Sequence, residues 1–196
     1  MYRFGSIIPV AALVLIVSFR CSYADVPGMD RIFHDFAQGT HWMFYADFNG
    51  AKREVVIRVK RHEKNWTEIE YDIYNPPDPG ATASTDEVWY VKDGYVVWAG
   101  YDFEQVSPYW HVYKLGAKKG DTWKGPFGKG RAMHMGTTEV AVPAGRYRDV
   151  VHIRLTDEDE KTHDFFYGPG VGLVKWETKS RFGRAVLELK GFIKGR

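Results

Sequence analysis

Residues 142–176 read VPAGRYRDVVHIRLTDEDEKTHDFFYGPGVGLVKW, and this stretch decides the fold class. Pro143 fixes φ for the second position of a β-turn and Gly145 suits the fourth, which predicts a reversal of the chain. Residues 147–156 then alternate apolar and polar side chains, the pattern of a half-buried strand. One face carries Val151, Ile153 and Leu155, and the other carries His152, Arg154 and Thr156.

The second half of this stretch continues in the same way. Four consecutive acids at 157–160 predict a solvated hairpin loop, and residues 161–167 predict the returning strand. Gly168-Pro169-Gly170 predicts another turn, because glycine adopts positive φ without strain, and residues 173–178 leave it as a further strand. The stretch therefore encodes antiparallel β-structure and contains no recognisable catalytic motif.

Period-two alternation covers most of the remaining chain. Strands are predicted over 54–60, 66–74, 87–92, 95–99, 109–115, 131–142 and 185–193. Asp93-Gly94 is typical of a tight hairpin turn, whereas three prolines within 75–80 predict an exposed loop through residue 85. One short amphipathic helix is predicted over 29–37, where apolar residues recur at helical spacing.

Roughly ten short strands without crossover helices predict an all-β, mostly antiparallel protein. The expected architecture is a curled sheet, a half-barrel or a barrel, with one short N-terminal helix. Neither a linker nor an internal repeat divides residues 25–196, so we expect a single β-rich domain there.

The N-terminus indicates export. Arg3, an apolar run over 7–19 and the small residues Ser22 and Ala24 predict a signal peptide over 1–24, cleaved after Ala24. The apolar run is shorter than the ~20 residues that span a bilayer, so we expect a periplasmic or secreted protein rather than an integral membrane protein. A lipid anchor at Cys21 is disfavoured by the preceding arginine.

The charge balance argues against nucleic acid as a partner. The chain has 27 Lys and Arg against 25 Asp and Glu. Because two arginines and no acid leave with the predicted signal peptide, the mature charges balance. A neutral chain has no global field that would attract nucleic acid or an anionic membrane.

A family resemblance rests on three motifs: VPAGRYRDV at 142–150, FFYGPGVGLVK at 165–175 and Gly-Asp-Thr-Trp at 120–123. Over about residues 115–180 the chain resembles an uncharacterised family of exported bacterial β-rich domains, distantly like the half-barrels of periplasmic lipoprotein carriers. The resemblance implies an envelope or secreted β-domain, and it implies no catalytic residue.

Motifs for catalysis, cofactors or metals are not found. His134, His152 and His163 lie on strands that could be neighbours, but they lack the spacing of a zinc site, and ordinary sheet-surface histidines are the simpler interpretation. The loop at 157–160 lacks the spacing of a calcium-binding EF-hand. Alternating acids at 68–72 fit a solvated strand face better than the carboxylate pair of a glycosidase. We therefore predict no catalytic, cofactor-binding or metal-ligating residue.

Aromatic residues give the better indication of function. The candidate ligand-binding residues are Trp89, Trp98, Tyr109, Trp110, His111 and Tyr113. These side chains either fill the core or line an open concave face. The second interpretation predicts an exported, non-enzymatic binding or envelope-associated protein that holds an apolar ligand or lipid, with the 29–37 helix as a lid.

Two alternatives remain open at this stage. Exposed aromatics could instead stack on the sugar rings of a glycan, as in a carbohydrate-binding module. A hydrolase with an unrecognised carboxylate or histidine site is the other alternative. The sequence does not specify an oligomeric state.

Overall fold

The computed structural model describes residues 36–63, 66–74, 81–100, 110–125, 130–180 and 183–196. The strands are β1 (His41–Phe48), β2 (Ala51–Glu63), β3 (Trp66–Tyr74), β4 (Ala81–Lys92), β5 (Tyr95–Gly100), β6 (Trp110–Lys114), β7 (Thr122–Lys124), β8 (Arg131–Val142), β9 (Gly145–Thr156), β10 (Thr162–Gly168), β11 (Gly172–Ser180) and β12 (Gly183–Ile193).

These 12 strands form one antiparallel sheet in the order β6-β5-β4-β3-β2-β1-β12-β11-β10-β9-β8-β7. The sheet curls into a nearly closed barrel with one seam, between the edge strands β6 and β7, and the described residues contain no helix. The predicted all-β antiparallel class is therefore confirmed. A helix able to cross a membrane is not found in the described part.

The structure differs from the sequence-based prediction in several elements. The helix predicted over 29–37 lies outside the described residues up to residue 35, and Phe36 and Ala37 are not helical. The loop predicted through residue 85 is wrong from Ala81 onward, because β4 pairs with β3 along this segment and Ala81 lies opposite Tyr74. The strand β1 and the short strand β7 were not predicted.

Alternation along the strands places one face inside the barrel. Val55, Ile57 and Val59 on β2 are at most 5% exposed, and the three apolar residues predicted for one face of β9 are fully buried. Burying one such side chain contributes about 1.5–3 kcal/mol to the free energy of folding. Burial therefore favours the orientation in which this face points into the barrel. The predicted inner and outer faces of β9 are confirmed.

The turn at 142–145 does more than connect two strands. β8 ends at Val142 and β9 begins at Gly145, whose φ of 137° suits glycine. The backbone N–H of Ala144 donates to the carbonyl of Leu189 on β12 at 2.9 Å. The tip of this hairpin is thereby hydrogen-bonded to β12, which is not a ladder neighbour of β8 or β9.

Side chains close both the seam and one end of the barrel. Across the seam, the indole N–H of Trp123 on β7 donates to the carbonyl of His111 on β6 at 2.8 Å. At the end, the rings of Phe36 and Trp42 meet edge to face at 4.7 Å. The indole of Trp42 also donates to the carbonyl of Val171 at 2.5 Å.

Candidate functional site in the barrel interior

The barrel interior contains two adjoining cavities. The larger has a volume of about 190 Å³ and the smaller about 50 Å³. Both are lined by Ile57, Tyr71, Trp89 and Leu173. The smaller cavity reaches toward the end that Phe36 closes, so we treat the larger one as the candidate site.

Strand register explains which side chains face the larger cavity. Glu87 on β4 lies opposite Ile69 on β3, and residues directly opposite each other project to the same face of a sheet. Trp89 lies opposite Trp98 on β5, and the two indoles stack with centroids 6.2 Å apart. Glu87 therefore enters the interior beside two tryptophans.

Glu87 is the acidic residue of this cavity. Its Oε2 atom is shielded from solvent and accepts no hydrogen bond from the described residues. Burial raises the pKa of Glu87 to about 7, and the donors of Trp98, Tyr71 and Trp89 oppose that rise. Near neutral pH the carboxyl is thus divided between its protonated and ionised forms.

His163 on β10 lines the same cavity. Its ring stacks on Trp176 with centroids 6.0 Å apart. Burial, reinforced by the charge of Lys161, lowers the pKa of His163 to about 4. The imidazole is therefore neutral at physiological pH.

Tyr71 is the third titratable group of the cavity. Burial, together with the charge of Glu87, raises the pKa of the Tyr71 hydroxyl well above its ordinary value. The hydroxyl therefore stays protonated and can donate to the Glu87 carboxyl. At pH 7 the cavity holds one group, Glu87, whose charge can change.

The predicted ligand-binding residues are distributed over several places. Trp89 and Trp98 line the larger cavity. Tyr113 is fully buried and packs edge to face on Trp123 at the seam, and His111 stacks on Tyr95 at 4.5 Å. The backbone of Trp110 pairs with Trp98, whereas Tyr109 lies outside the described residues.

Other cavity residues were missed by the sequence reasoning: Glu87, Tyr71, His163 and Trp176. A usable signal existed for Glu87, because it stands two positions before Trp89 on a predicted strand. His163 and Trp176 are brought together by the pairing of β10 with β11; the turn at 168–170 predicts that pairing but not its register, which shifts between Phe166 and Tyr167.

The acids of β3 lie on the outer face, as their spacing predicts, but they are not simply solvated. Glu68 and Asp72 are each 8% exposed. Arg61 donates to Glu68 at 3.0 Å, and Arg58 on β2 forms an ion pair with Asp72. These carboxylates are neutralised by neighbouring bases on the sheet.

The histidines considered for a metal site do not converge. His134 accepts a hydrogen bond from the N–H of Gly136, and His152 bonds the Asp164 carboxylate at 2.5 Å. His163 faces the cavity. Within the described ranges, no group of three or more His, Cys, Asp or Glu is placed to hold a metal ion.

Comparison with known proteins gives a fold relationship. No protein-family model matches the sequence, and no curated protein matches it either. A crystal structure from Bacteroides fragilis, of a protein considered to be exported and to have a YmcC-like fold, matches with a TM-score of 0.58 and 13% identity. The match covers 83% of this chain and 99% of that one.

A second crystal structure, of a protein from Parabacteroides distasonis considered to be a lipoprotein, matches with a TM-score of 0.57 and 16% identity. It covers 83% of this chain and 98% of the other. At such identities the likeness concerns the fold alone. The chain thus shares the barrel fold that is called YmcC-like in the Bacteroides fragilis protein.

Proposed function

We propose that this chain is an exported, envelope-associated protein that binds a small apolar molecule, or the apolar part of a lipid, inside its barrel without transforming it. Export is supported by the signal-like residues 1–24 and by the two structural neighbours, which are considered to be an exported protein and a lipoprotein. Binding is supported by the interior cavity.

The volume of the larger cavity is the observation that carries the proposal. The cavity of about 190 Å³ is lined mainly by apolar and aromatic side chains and is partly open to solvent. Water in such a space finds few hydrogen-bond partners, so an apolar guest would displace it favourably. An engineered apolar cavity of roughly 150 Å³ takes up benzene, so this space suits a ring or a short alkyl stretch.

The alternative of glycan binding on exposed aromatics finds less support. In the described part, the exposed large hydrophobic side chains are Tyr45 and Ile193. The ammonium group of Lys190 already lies over the Tyr45 ring, 4.7 Å from its centroid. Trp89 and Trp98, two of the candidate aromatics, line the cavity instead.

Uptake of apolar probes would test the proposal. Benzene derivatives and short alkanes should quench the fluorescence of the cavity tryptophans and raise the melting temperature of the protein. Leu187→Phe, at a cavity-lining position, should weaken probe binding at least tenfold by filling space. Leu115→Phe is the matched control, because Leu115 packs in the core away from both cavities.

Two results would contradict apolar binding. One is a wild-type protein that takes up no probe and carries no co-purified molecule in native mass spectrometry. The other is equal loss of binding in both leucine variants, since that would assign the effect to general repacking rather than to the cavity.

A hydrolase is the second candidate, because Glu87 and His163 line one cavity and their pKa values are shifted in opposite directions. Such a pair can divide the roles of acid and base. This candidate predicts turnover of small aryl esters or glycosides that is lost in Glu87→Gln. Turnover that is unchanged in that variant would count against it.

A further inference from the structure

The larger cavity combines an acidic group with several aromatic faces. We propose that it recognises a small organic cation, a protonated amine or quaternary ammonium carried on an apolar body. This inference rests on the proposed function and adds the charge of the ligand to it. The described lining residues include aromatic rings and one carboxyl group but no Lys or Arg.

The aromatic faces come from three strands. Trp89 and Trp98 stack face to face with an interplanar angle of 25°, and Trp176 on β11 lines the same space. The face of an indole carries negative potential and attracts cations more strongly than other rings do. Each desolvated contact of this kind is worth up to about 2 kcal/mol, and aromatic cages are the usual means of holding quaternary ammonium groups.

The carboxyl group supplies the charge. The groups acting on Glu87 are the donors of Trp98, Tyr71 and Trp89, all of them neutral. Its Oε2 atom has no hydrogen-bond partner within the described part of the chain. Burying a carboxyl group without a cation is costly, and a positively charged guest would remove that cost.

Other shielded acids of the barrel are treated differently. Asp164 is held by His152 and Arg154, and Asp72 is held by Arg58. Each of these two shielded acids therefore has at least one basic side chain beside it on the sheet. At Glu87 the described lining residues supply the neutral donors of Trp98, Tyr71 and Trp89 and no base.

The charge balance of binding predicts a pH dependence. The titratable groups that line the cavity with Glu87 are Tyr71 and His163, and both are neutral at pH 7. Glu87, with a pKa of about 7, must release its proton to solvent when a cation binds. Affinity for a cation should therefore rise about tenfold between pH 6 and pH 8.

A pair of matched probes tests the inference. Phenyltrimethylammonium and tert-butylbenzene have the same shape and differ in replacing the positively charged nitrogen by carbon. We expect calorimetry and tryptophan quenching at pH 8 to show at least tenfold tighter binding of the cation to the wild-type protein. Glu87→Gln should lose most of the preference for the cation, keeping only what the aromatic rings contribute, and should lose the pH dependence.

Glu139→Gln is the control variant, because it removes the same charge from an exposed position on β8. It should keep the preference for the cation. Loss of the preference in this control would overturn the inference, since a general field would then explain it. An undiminished preference in Glu87→Gln would overturn it equally.

The two probes also separate this inference from the proposed function. Binding of tert-butylbenzene with no advantage for the cation overturns the cation inference and leaves apolar binding supported. Tighter binding of an alkyl carboxylate than of the ammonium also overturns it. If neither probe binds the wild-type protein, both the cation inference and apolar binding are contradicted.

Discussion

Buried acids on the outer and inner faces of this sheet differ in whether a positive charge lies beside them. On the outer face, Asp164 is 7% exposed and lies between the side chains of His152 and Arg154. On the inner face, Glu87 has a shielded oxygen and only neutral donors around it. Both acids are therefore shielded from solvent, and they differ in that only Asp164 has a compensating positive charge among the described residues.

The largest expected effect comes from breaking the outer arrangement. Asp164→Asn would leave His152 and Arg154 without their anion, so we expect the free energy of unfolding at pH 7 to fall by about 2–3 kcal/mol. The loss is at the lower end for a buried pair because Arg154 is partly exposed. Urea denaturation measures it, and an unchanged midpoint would show that the pair contributes nothing.

The same aspartate gives a pH test. Burial raises the pKa of Asp164, but the hydrogen bonds from His152 and Arg154 outweigh burial and hold that pKa below its ordinary value. Its contribution to stability is thus complete above the unfolded pKa near 3.8 and is lost as pH falls through the folded pKa. Wild-type and Asp164→Asn stabilities should converge in acid.

The inner acid should behave with the opposite sign. Because the pKa of Glu87 is raised to about 7, the folded state binds an extra proton between pH 4.5 and 7, and stability falls as pH rises through that window. Glu87→Gln mimics the protonated form, so the stability of this variant relative to unliganded wild type should be about 2.5 kcal/mol greater at pH 8 than at pH 5. A relative stability that does not rise from pH 5 to pH 8 would refute this account.

His163, in the same cavity as Glu87, should change the pH dependence of stability in the opposite direction. Its pKa is lowered to about 4, so the unfolded state binds more protons up to pH 6.5, and stability rises with pH. His163→Gln should remove about 1 kcal/mol of that rise between pH 5 and 6.5. Thermal unfolding at several pH values measures the slope, and parallel curves for wild type and variant would exclude a neutral buried histidine.

The smallest effect is expected for an exposed acid. Glu139 pairs with Arg146 at 2.6 Å, and both side chains are largely open to solvent. Glu139→Gln should change stability by less than about 0.5 kcal/mol, since water and salt screen such pairs. A change as large as that at Asp164 would mean that exposure does not govern these carboxylates.

Local patterns were sufficient for much of the fold. Alternation in residues 147–156 identified the buried face of β9, and Pro143 with Gly145 located the turn before it. These features depend on neighbours within a few residues, which the sequence displays directly. The loop expected through residue 85 failed because pairing with β3 extends β4 beyond what its own residues indicate.

The candidate site was less predictable for a related reason. On β4, Glu87 and Trp89 share one face while Val88 and Tyr90 share the other, so neither face is distinctly apolar. Which face turns inward depends on β3 and β5. Trp89 and Trp98 could be identified as candidates from their residue type. Whether the Glu87 carboxyl group enters the interior with them depends on which face of β4 turns inward.

The seam has a consequence for how molecules exchange with the interior. β6 and β7 each have a ladder partner on one side, and Trp123 joins them through a side-chain bond to the His111 carbonyl. Separating these edges would break no strand ladder, but it would part the buried Tyr113 from Trp123. If the proposed guest enters along this line, its residence time will depend on this aromatic contact as well as on the two edge strands.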